Sequence, residues 1–264
     1  MSGSKQIPCA LTIAGSDSGG GAGIQADLKT FAALGIHGAS VLTCVTAQNP
    51  RRVLGIQPCT LAIVRRQLEA VFTELPPRAV KTGMLYSTTI IHAVANYLRP
   101  LRPLLVVDPV MVSTSGARLI RATATRALCA ELLPLAALVT PNLDEARLLV
   151  GAELNSVADM RWAAKVLHQR FGCAALVKGG HLRGLREAVD IYFDGKEELL
   201  LTAPFIKGIK THGTGCTYSA AITAHLGHGL NMAQSVIRAK NVITNAIAQS
   251  RTTGKHAVLG WSLG

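Results

Sequence analysis

Aromatic residues are scarce in this chain, and acidic residues are outnumbered by basic ones. Phe, Trp and Tyr make up 4% of the 264 residues, and 27 Lys and Arg stand against 15 Asp and Glu, giving a formal net charge of +12. Such a charge suits nucleic acid or anionic substrates. However, the arginines occur as scattered pairs, at 51–52 and 65–66, without a basic run or interleaved aromatics. Nucleic acid is therefore not expected as a partner.

Paired cysteines and long apolar runs are also missing. The 6 cysteines include no C-x-x-C pair, which excludes a zinc knuckle and a thioredoxin-type redox site. No apolar run reaches about 18 residues, and no basic-then-apolar signal pattern begins the chain. We therefore expect a cytoplasmic protein without a membrane partner. Residues 1–6 are expected to be a disordered leader, and residues 7–264 a single domain.

Strand-like and helix-like segments alternate along the whole chain. The strands are solid apolar runs, which is typical of a parallel sheet covered on both faces. Predicted strands lie at 7–14, 39–47, 79–82, 104–107, 137–140 and 174–177, with a hairpin at 188–193 and 198–203. Predicted helices lie at 24–34, 60–75, 87–99, 123–133, 157–171, 216–226 and 232–250, and one follows the Pro-Asn-Leu-Asp-Glu run at 141–145. The fold class is therefore α/β, with a central, mainly parallel sheet flanked by helices on both faces.

Polar residues gather at the carboxyl ends of these predicted strands. In open α/β sheets the ligand crevice lies outside those ends, so the pattern predicts one long active-site trough. The residues concerned are Gly15, Asp17, Gln48, Asn49, Lys81 to Met84, Asp108, Asn142, Glu145 and Lys178.

The first glycine run does not indicate a dinucleotide site. Residues 21–26 match G-x-G-x-x-A after a strand, but the acidic residue expected about 20 positions on is missing, and a Gln-Asn pair at 48–49 stands there. A Walker A loop is missing too, because neither Gly-Lys pair, at 195–196 or 254–255, precedes Ser or Thr. A nucleotide-binding reductase is therefore disfavoured.

A second glycine turn predicts an anion cradle. Gly213 and Gly215, on either side of Thr214, let backbone N–H groups converge, and the first turn of the next helix adds unpaired donors and the positive end of its dipole. A transferring phosphoryl group fits such a cradle. Cys216 stands at the helix start, where the dipole is expected to lower the pKa of a thiol, so it is a candidate base or nucleophile. The alternative is a glycine turn that packs closely against a neighbouring segment.

Six segments together carry a resemblance to a known family. They are IAGSDSGGGAGIQADLKT at 13–30, KTGML at 81–85, VDPVM at 107–111, TPNLDEA at 140–146, VKGGH at 177–181 and THGTGC at 211–216. The chain resembles the hydroxymethylpyrimidine and phosphomethylpyrimidine kinases of thiamine synthesis, members of the ribokinase superfamily, over about residues 7–251. The resemblance implies a ribokinase-like fold, ATP with Mg²⁺, and 4-amino-5-hydroxymethyl-2-methylpyrimidine as an acceptor that is phosphorylated twice. We also expect a homodimer.

One position reduces the number of kinase families that the chain can resemble, but it does not decide which acceptor is used. Most sugar kinases of the superfamily have an aspartate where Cys216 stands, whereas the pyrimidine kinases and one branch of pyridoxal kinases share the cysteine. Pyridoxal kinase therefore stays open as an alternative.

The donor side is expected to combine the cradle with metal and phosphate ligands. Asn142 and Glu145, three residues apart at a helix start, can hold Mg²⁺ through waters, unless they are only a helix cap. Asp108 is a second candidate for the metal or ATP, unless it is a turn carboxylate before proline. Lys178 is expected to reach a phosphate, unless it is a surface lysine. The resemblance adds Lys240 and Thr211 to the ATP-binding residues, to which Asn142 and Asp108 also belong.

The acceptor side is expected around Gln48. A pyrimidine with an exocyclic amine needs a group that offers both a donor and an acceptor, and a carboxamide provides the pair. The resemblance also assigns Gln48 to the pyrimidine, with Asp27 in the same pocket, although Asp27 can equally be a surface acid of the first helix. The expected pocket walls are Gly15, Ala22, Met84 and Val110.

Overall fold

The computed structural model describes residues 6–111, 122–180, 182, 186–206 and 212–261. Nine strands form one sheet, in the order β3-β2-β1-β4-β5-β6-β7-β8-β9. They are β1 (Cys9–Asp17), β2 (His37–Asn49), β3 (Arg52–Pro58), β4 (Ala79–Thr82), β5 (Leu105–Val107), β6 (Leu138–Val139), β7 (Ala174–Lys178), β8 (Glu187–Phe193) and β9 (Glu198–Pro204). The block from β2 to β7 is parallel, whereas β3, β8 and β9 each join by antiparallel pairing. A separate hairpin joins β10 (Arg251–Thr253) to β11 (His256–Val258).

In the described part of the chain, eight α-helices connect and cover these strands. They are α1 (Gly23–Ala33), α2 (Leu61–Glu74), α3 (Thr88–Leu101), α4 (Ala122–Ala127), α5 (Leu143–Val150), α6 (Val157–Phe171), α7 (Thr214–Gly227) and α8 (Met232–Ala248). Across the described part of the chain, none of them has both the length and the apolar character that a membrane span requires.

The parallel strands bury side chains on both faces of the sheet. Leu105 and Val107 of β5 join the core cluster that includes residues of α2, α3, α5 and α6. The intervening Val106 joins a second cluster with side chains of α7 and α8. This alternation explains the solid apolar runs, because every residue of a doubly covered strand meets a helix. The α/β prediction is confirmed, with helices on both faces.

Several predicted boundaries are confirmed by their caps. Thr60 accepts a hydrogen bond from the backbone N–H of Ile63 at the start of α2, and Ser87 does the same for α3. Helix α6 has the predicted bounds and ends at Gly172, whose φ of 72° is the left-handed conformation that glycine adopts without strain. β4 also has the predicted bounds.

Three regions differ from the sequence prediction, and one of them is the hairpin of β10 and β11, which was not predicted. β3 was not predicted, because this edge strand is mostly exposed and interacts with β2 through its backbone, without an apolar run to reveal it. The helix predicted at 123–133 is instead α4, followed by a π-turn at 128–132 and a 3₁₀ turn at 133–135. Pro134 explains the end of regular helix there, since its ring cannot continue the α-helical hydrogen bonds.

A fully buried ion pair joins α1 to the centre of the sheet. Lys81 Nζ on β4 donates to both carboxylate oxygens of Asp27 on α1, at 2.7 and 2.8 Å. Thr12 Oγ1 on β1 donates to the same carboxylate at 2.6 Å. Both side chains of the pair have no solvent exposure. The alternative in which Asp27 is a surface acid is therefore wrong, because the residue lies on the sheet-facing side of α1.

We expect Lys81→Met to destabilise the protein by about 3–5 kcal/mol, because it leaves Asp27 buried without its counter-charge. The measurement is the free energy of unfolding in urea. Lys165→Met is the matched control: its pair with Glu198 is half exposed on the lysine side, so a loss below about 1 kcal/mol is expected. Equal losses in the two variants would contradict the assigned importance of the buried pair.

Candidate active site

The glycine turn at the start of α7 faces the carboxyl ends of the parallel strands. Gly213 is the N-cap residue of α7, with a φ of 83°. A Cβ at this position would overlap the carbonyl oxygen of Gly21, so the turn packs tightly on the loop after β1. The close-packing alternative is therefore correct for Gly213. Residues 214–216 form the first turn of α7, and their role as a phosphoryl cradle remains a prediction.

Lys178 and Asp108 lie beside the cradle. Lys178 Nζ is 3.2 Å from the position that a Cβ on Gly215 would take. It donates to Asp108 Oδ1 at 3.0 Å, while Ser219 Oγ on α7 donates to Asp108 Oδ2 at 3.1 Å. Burial opposes ionisation of Asp108, but the nearby ammonium groups outweigh it and hold the pKa of this carboxyl below its usual value. The surface-lysine alternative for Lys178 is wrong, since 11% of its side chain is exposed.

Asn142 and Glu145 form a capping box at the start of α5. The Asn142 side chain accepts from the Glu145 backbone N–H at 2.9 Å, and Glu145 Oε2 accepts from the Asn142 backbone N–H at 2.9 Å. The helix-cap interpretation is thus confirmed. Burial, together with the nearby charge of Asp108, raises the pKa of Glu145 to about 8.

The charges around the cradle fit a divalent cation. Three buried carboxyl groups, of Asp27, Asp108 and Glu145, share the region with two ammonium groups, of Lys81 and Lys178. The group is therefore one positive charge short when all five are ionised, which agrees with the raised pKa of Glu145. Within the described residues, no group of three His, Cys, Asp or Glu side chains could hold a metal ion. The donors present suit an ion that keeps several waters and shares phosphate oxygens, as Mg²⁺ does.

The thiol of Cys216 contradicts one expectation. Its pKa is not lowered by the helix start: burial raises it to about 11, and the charge of Lys81 offsets this only in part. The backbone N–H of Gly23 also favours the thiolate, without reversing the shift. Desolvation of an anion outweighs the helix dipole here, because the helix start is enclosed by α1 and the sheet. The thiol is therefore protonated at neutral pH.

Four of the expected acceptor-side residues lie around the loop after β1. A Cβ on Gly15 would lie 2.9 Å from Met84 Cε, and the Ala22 backbone N–H donates to Asp17 Oδ2 at 2.8 Å. The amide of Gln48 meets His212 Nε2 at 2.9 Å. Val110 is half-buried two residues after Asp108, and Met84 is half-buried as well. Their use as a pyrimidine pocket remains a prediction.

Two expected site residues, Asp27 and Lys240, are placed differently, and a third lies outside the described part of the chain. Asp27 is fully buried in its ion pair with Lys81, and Thr12 donates to the same carboxylate, so its polar atoms contact protein groups and not the surface. Lys240 Nζ donates to Asp190 Oδ2 at 2.6 Å and to the Ala188 carbonyl at 3.1 Å, contacts that tie it to β8. Asp190 Oδ1 in turn accepts a hydrogen bond from the backbone N–H of Gly179, the residue after Lys178. Thr211 lies outside the described residues.

Sequence reasoning gave no role to Asp17 and His212, which the structure brings together. His212 Nε2 lies 3.0 Å from Asp17 Oδ2, although the residues are 195 positions apart. Asp17 was already among the strand-end polar residues, and His212 directly precedes the cradle glycine. These two positions, each next to a glycine turn of the predicted site, were the signal that the sequence offered. A contact between residues so far apart in the sequence leaves no local pattern.

Comparison with known proteins assigns the chain to a family. A family model for phosphomethylpyrimidine kinase matches residues 17–260. The chain is also 50% identical, over 240 residues and 90% of each chain, to the hydroxymethylpyrimidine/phosphomethylpyrimidine kinase of Rhizobium meliloti. The chain belongs to the phosphomethylpyrimidine kinase family. It is therefore a kinase, and the recognised resemblance is confirmed.

Solved structures of similar proteins agree with the fold. An ADP complex of Bacillus subtilis pyridoxal kinase superposes with a TM-score of 0.91 at 37% identity, covering 98% of each chain. The phosphomethylpyrimidine kinase of Clostridium difficile superposes with a TM-score of 0.81 at 43% identity, covering 92% of this chain and 100% of that one. The ribokinase-like fold is confirmed. The Bacillus protein was solved with ADP bound.

Glu145 should make the stability of this kinase depend on pH. Its folded pKa of about 8 lies above the ordinary value of 4.5, so the folded state binds the extra proton and loses stability as pH rises between these values. Glu145→Gln keeps the capping acceptor but cannot ionise. We expect it to be more stable than the wild type at pH 8, by on the order of 1–3 kcal/mol, and to lose this advantage by pH 5.

The measurement is urea unfolding of both proteins, without nucleotide, at pH 5 and pH 8. Asp144→Asn, at the exposed neighbouring position, is the control and should show no such pH-dependent gain. An advantage of Glu145→Gln that does not change with pH would contradict the raised pKa.

Proposed function

We propose that the protein phosphorylates 4-amino-5-hydroxymethyl-2-methylpyrimidine with ATP, first to the monophosphate and then to the diphosphate, in thiamine biosynthesis. The observation that carries the proposal is the position of Lys178 beside Gly215, where a cation and the open end of α7 face one point. The printed activity of the Rhizobium relative, at 50% identity, supports this acceptor. The arrangement of Lys178 and α7 serves an alcohol acceptor and a phosphate acceptor equally, because the same phosphoryl group is transferred to each.

On the donor side, the backbone N–H groups of residues 213–216 and the ammonium of Lys178 bind the phosphates. Asp108 holds Lys178 in place through its carboxylate, and Ser219 fixes the other carboxylate oxygen. Glu145, Asn142 and Asp108 would hold Mg²⁺, which when bound neutralises the β- and γ-phosphate oxygens. Lys240 and Thr211 are proposed to contact ATP further out.

On the acceptor side, Gln48 reads the ring and half-buried apolar side chains enclose it. The carboxamide offers one acceptor and one donor, which a 4-aminopyrimidine edge complements. Met84 and Val110 supply apolar walls, and the backbone at Gly15 and Ala22 closes the pocket. Asp27 supports this pocket through its ion pair with Lys81.

Location and assembly are proposed as well. We place the enzyme in the cytoplasm, in keeping with its small-molecule substrates, and propose a homodimer. Large apolar side chains exposed on the two outermost strands at one side of the sheet, Leu54 on the edge strand β3 at 62% and Val45 on its neighbour β2 at 48%, support self-association.

Pyridoxal kinase is the second candidate, because the pyridoxal kinase of Bacillus subtilis superposes with a TM-score of 0.91. Phosphorylation of both vitamers with ATP, measured side by side, separates the two. We expect kcat/KM to be at least about tenfold higher for the pyrimidine, since only its edge satisfies both groups of the Gln48 amide and one unpaired polar group costs about 1–3 kcal/mol. A higher kcat/KM for pyridoxal would overturn the proposed acceptor.

Cys216→Ala should separate the two phosphorylations. An alcohol must lose a proton as it attacks, and a base in the right place contributes about 10²–10⁴-fold. A phosphate monoester is already ionised near neutral pH, so its phosphorylation needs no base. Because the Cys216 thiol is protonated at neutral pH, we expect the variant's loss on the alcohol step to be small there and to grow as the pH rises, while much of the monophosphate step is kept at every pH.

The dependence of the rate on pH provides a second readout for this test. Because the pKa of Cys216 is raised to about 11, the fraction of thiolate grows as pH rises, and the wild-type alcohol step should accelerate with it. The control is Cys129→Ala, which should change neither step, because Cys129 lies on the turn after α4 and packs against the core cluster on the face of the sheet opposite α7. Equal losses on both acceptors in Cys216→Ala would show that the residue serves the shape of the cradle.

A further inference from the structure

Asp17 is a buried carboxylate that accepts hydrogen bonds from four N–H groups. The backbone N–H groups of Gly19, Gly21 and Ala22 donate to it at 2.8, 3.0 and 2.8 Å. His212 Nε2 is the fourth neighbour, at 3.0 Å. Burial alone would favour the protonated acid, but His212 and the backbone donors outweigh it and lower the pKa of Asp17. An ionised carboxylate can only accept hydrogen bonds, so the proton between Asp17 and His212 lies on Nε2 of the histidine.

That proton determines which end of the Gln48 amide faces His212. One end of the Gln48 side-chain amide lies 2.9 Å from His212 Nε2. An Nε2 that carries a hydrogen cannot accept one, so a second N–H pointed at it would be left without a partner. The oxygen and nitrogen ends of a carboxamide have the same shape, and the hydrogen-bond network decides between them. Here it favours Oε1 toward His212, where Oε1 and Asp17 Oδ2 share the one hydrogen on Nε2, and the NH₂ group on the far side.

The backbone of Gln48 is held by the same loop. Ser18 Oγ donates to the Gln48 carbonyl at 2.8 Å and accepts from its backbone N–H at 2.8 Å. The backbone of Gln48 is therefore fixed, and His212 is the neighbour within hydrogen-bond distance of its side-chain amide.

We infer that Asp17 and His212 are positioning residues that fix the orientation of the Gln48 amide, and so make the site select a 4-aminopyrimidine over its 4-oxo counterpart. The inference rests on the proposed function, in which Gln48 reads the ring. A 4-amino edge presents an N–H donor beside a ring nitrogen acceptor. The 4-oxo edge presents an acceptor beside an N–H donor, which is the reverse order. A fixed amide matches only one order, whereas a free amide rotates to match either.

The test compares kcat/KM for 5-hydroxymethyl-2-methylpyrimidines with a 4-amino and a 4-oxo group. We expect His212→Phe to lower the preference for the amino compound about tenfold or more, since the lost constraint is of the order of one hydrogen bond. The KM for ATP should not change. His212→Gln keeps an NH₂ group that can donate to both neighbours and should retain part of the preference. His228→Phe, on the exposed end of α7, is the matched control and should behave as the wild type.

A second measurement needs no variant. Nitrogen-15 NMR of the histidine rings in the wild-type protein, with His212 assigned by comparison with His212→Gln, should show a hydrogen on Nε2. An unprotonated Nε2, or an unchanged amino-to-oxo preference in a folded His212→Phe protein, would overturn the inference. Failure of the wild type to phosphorylate the 4-amino compound would instead contradict the proposed function, and the NMR result does not depend on it.

Discussion

The contact between the glycine turn at 213 and the loop after β1 is the constraint on which the site depends. Gly213 approaches the Gly21 carbonyl so closely that no side chain fits between them. This approach sets His212 against Asp17 and the first turn of α7 against the strand ends. The donor side and the acceptor side of the trough are therefore positioned by the same backbone contact. A shift there would move the cradle relative to Gln48 and spoil the in-line geometry that phosphoryl transfer requires.

The buried charges explain why a thiol suits position 216. Three carboxyl groups already share this region with two ammonium groups. An aspartate at 216, the residue type of most sugar kinases in the superfamily, would add a fourth carboxyl to a region that is short of positive charge. A thiol with a pKa of about 11 stays neutral instead. A thiol is therefore a weaker base than an aspartate would be at neutral pH, but it adds no buried negative charge to the enzyme without substrate.

The sequence predicted the fold well where burial decides the pattern. β4 and α6 have the predicted bounds, because apolar runs, caps and a terminal glycine all mark them. β3 escaped prediction because an exposed edge strand needs no apolar pattern. Among the site residues, the strand-end rule placed Asp108 and Lys178 correctly beside each other. It could not reveal the burial of Asp27 or the pKa of Cys216, because both depend on what packs around a side chain.

The pairing of Asp17 with His212 has a consequence for how the protein folds. The two residues are 195 positions apart, so their meeting closes a long loop and carries a large entropic cost. Contacts of this kind form late, after local helices and neighbouring strands have gathered. During synthesis the first strand and its glycine loop emerge long before α7 exists, and they must wait without their partner. The complete site is thus among the last parts of the molecule to form. A nascent chain that stops before α7 has neither the cradle nor the contact between Asp17 and His212.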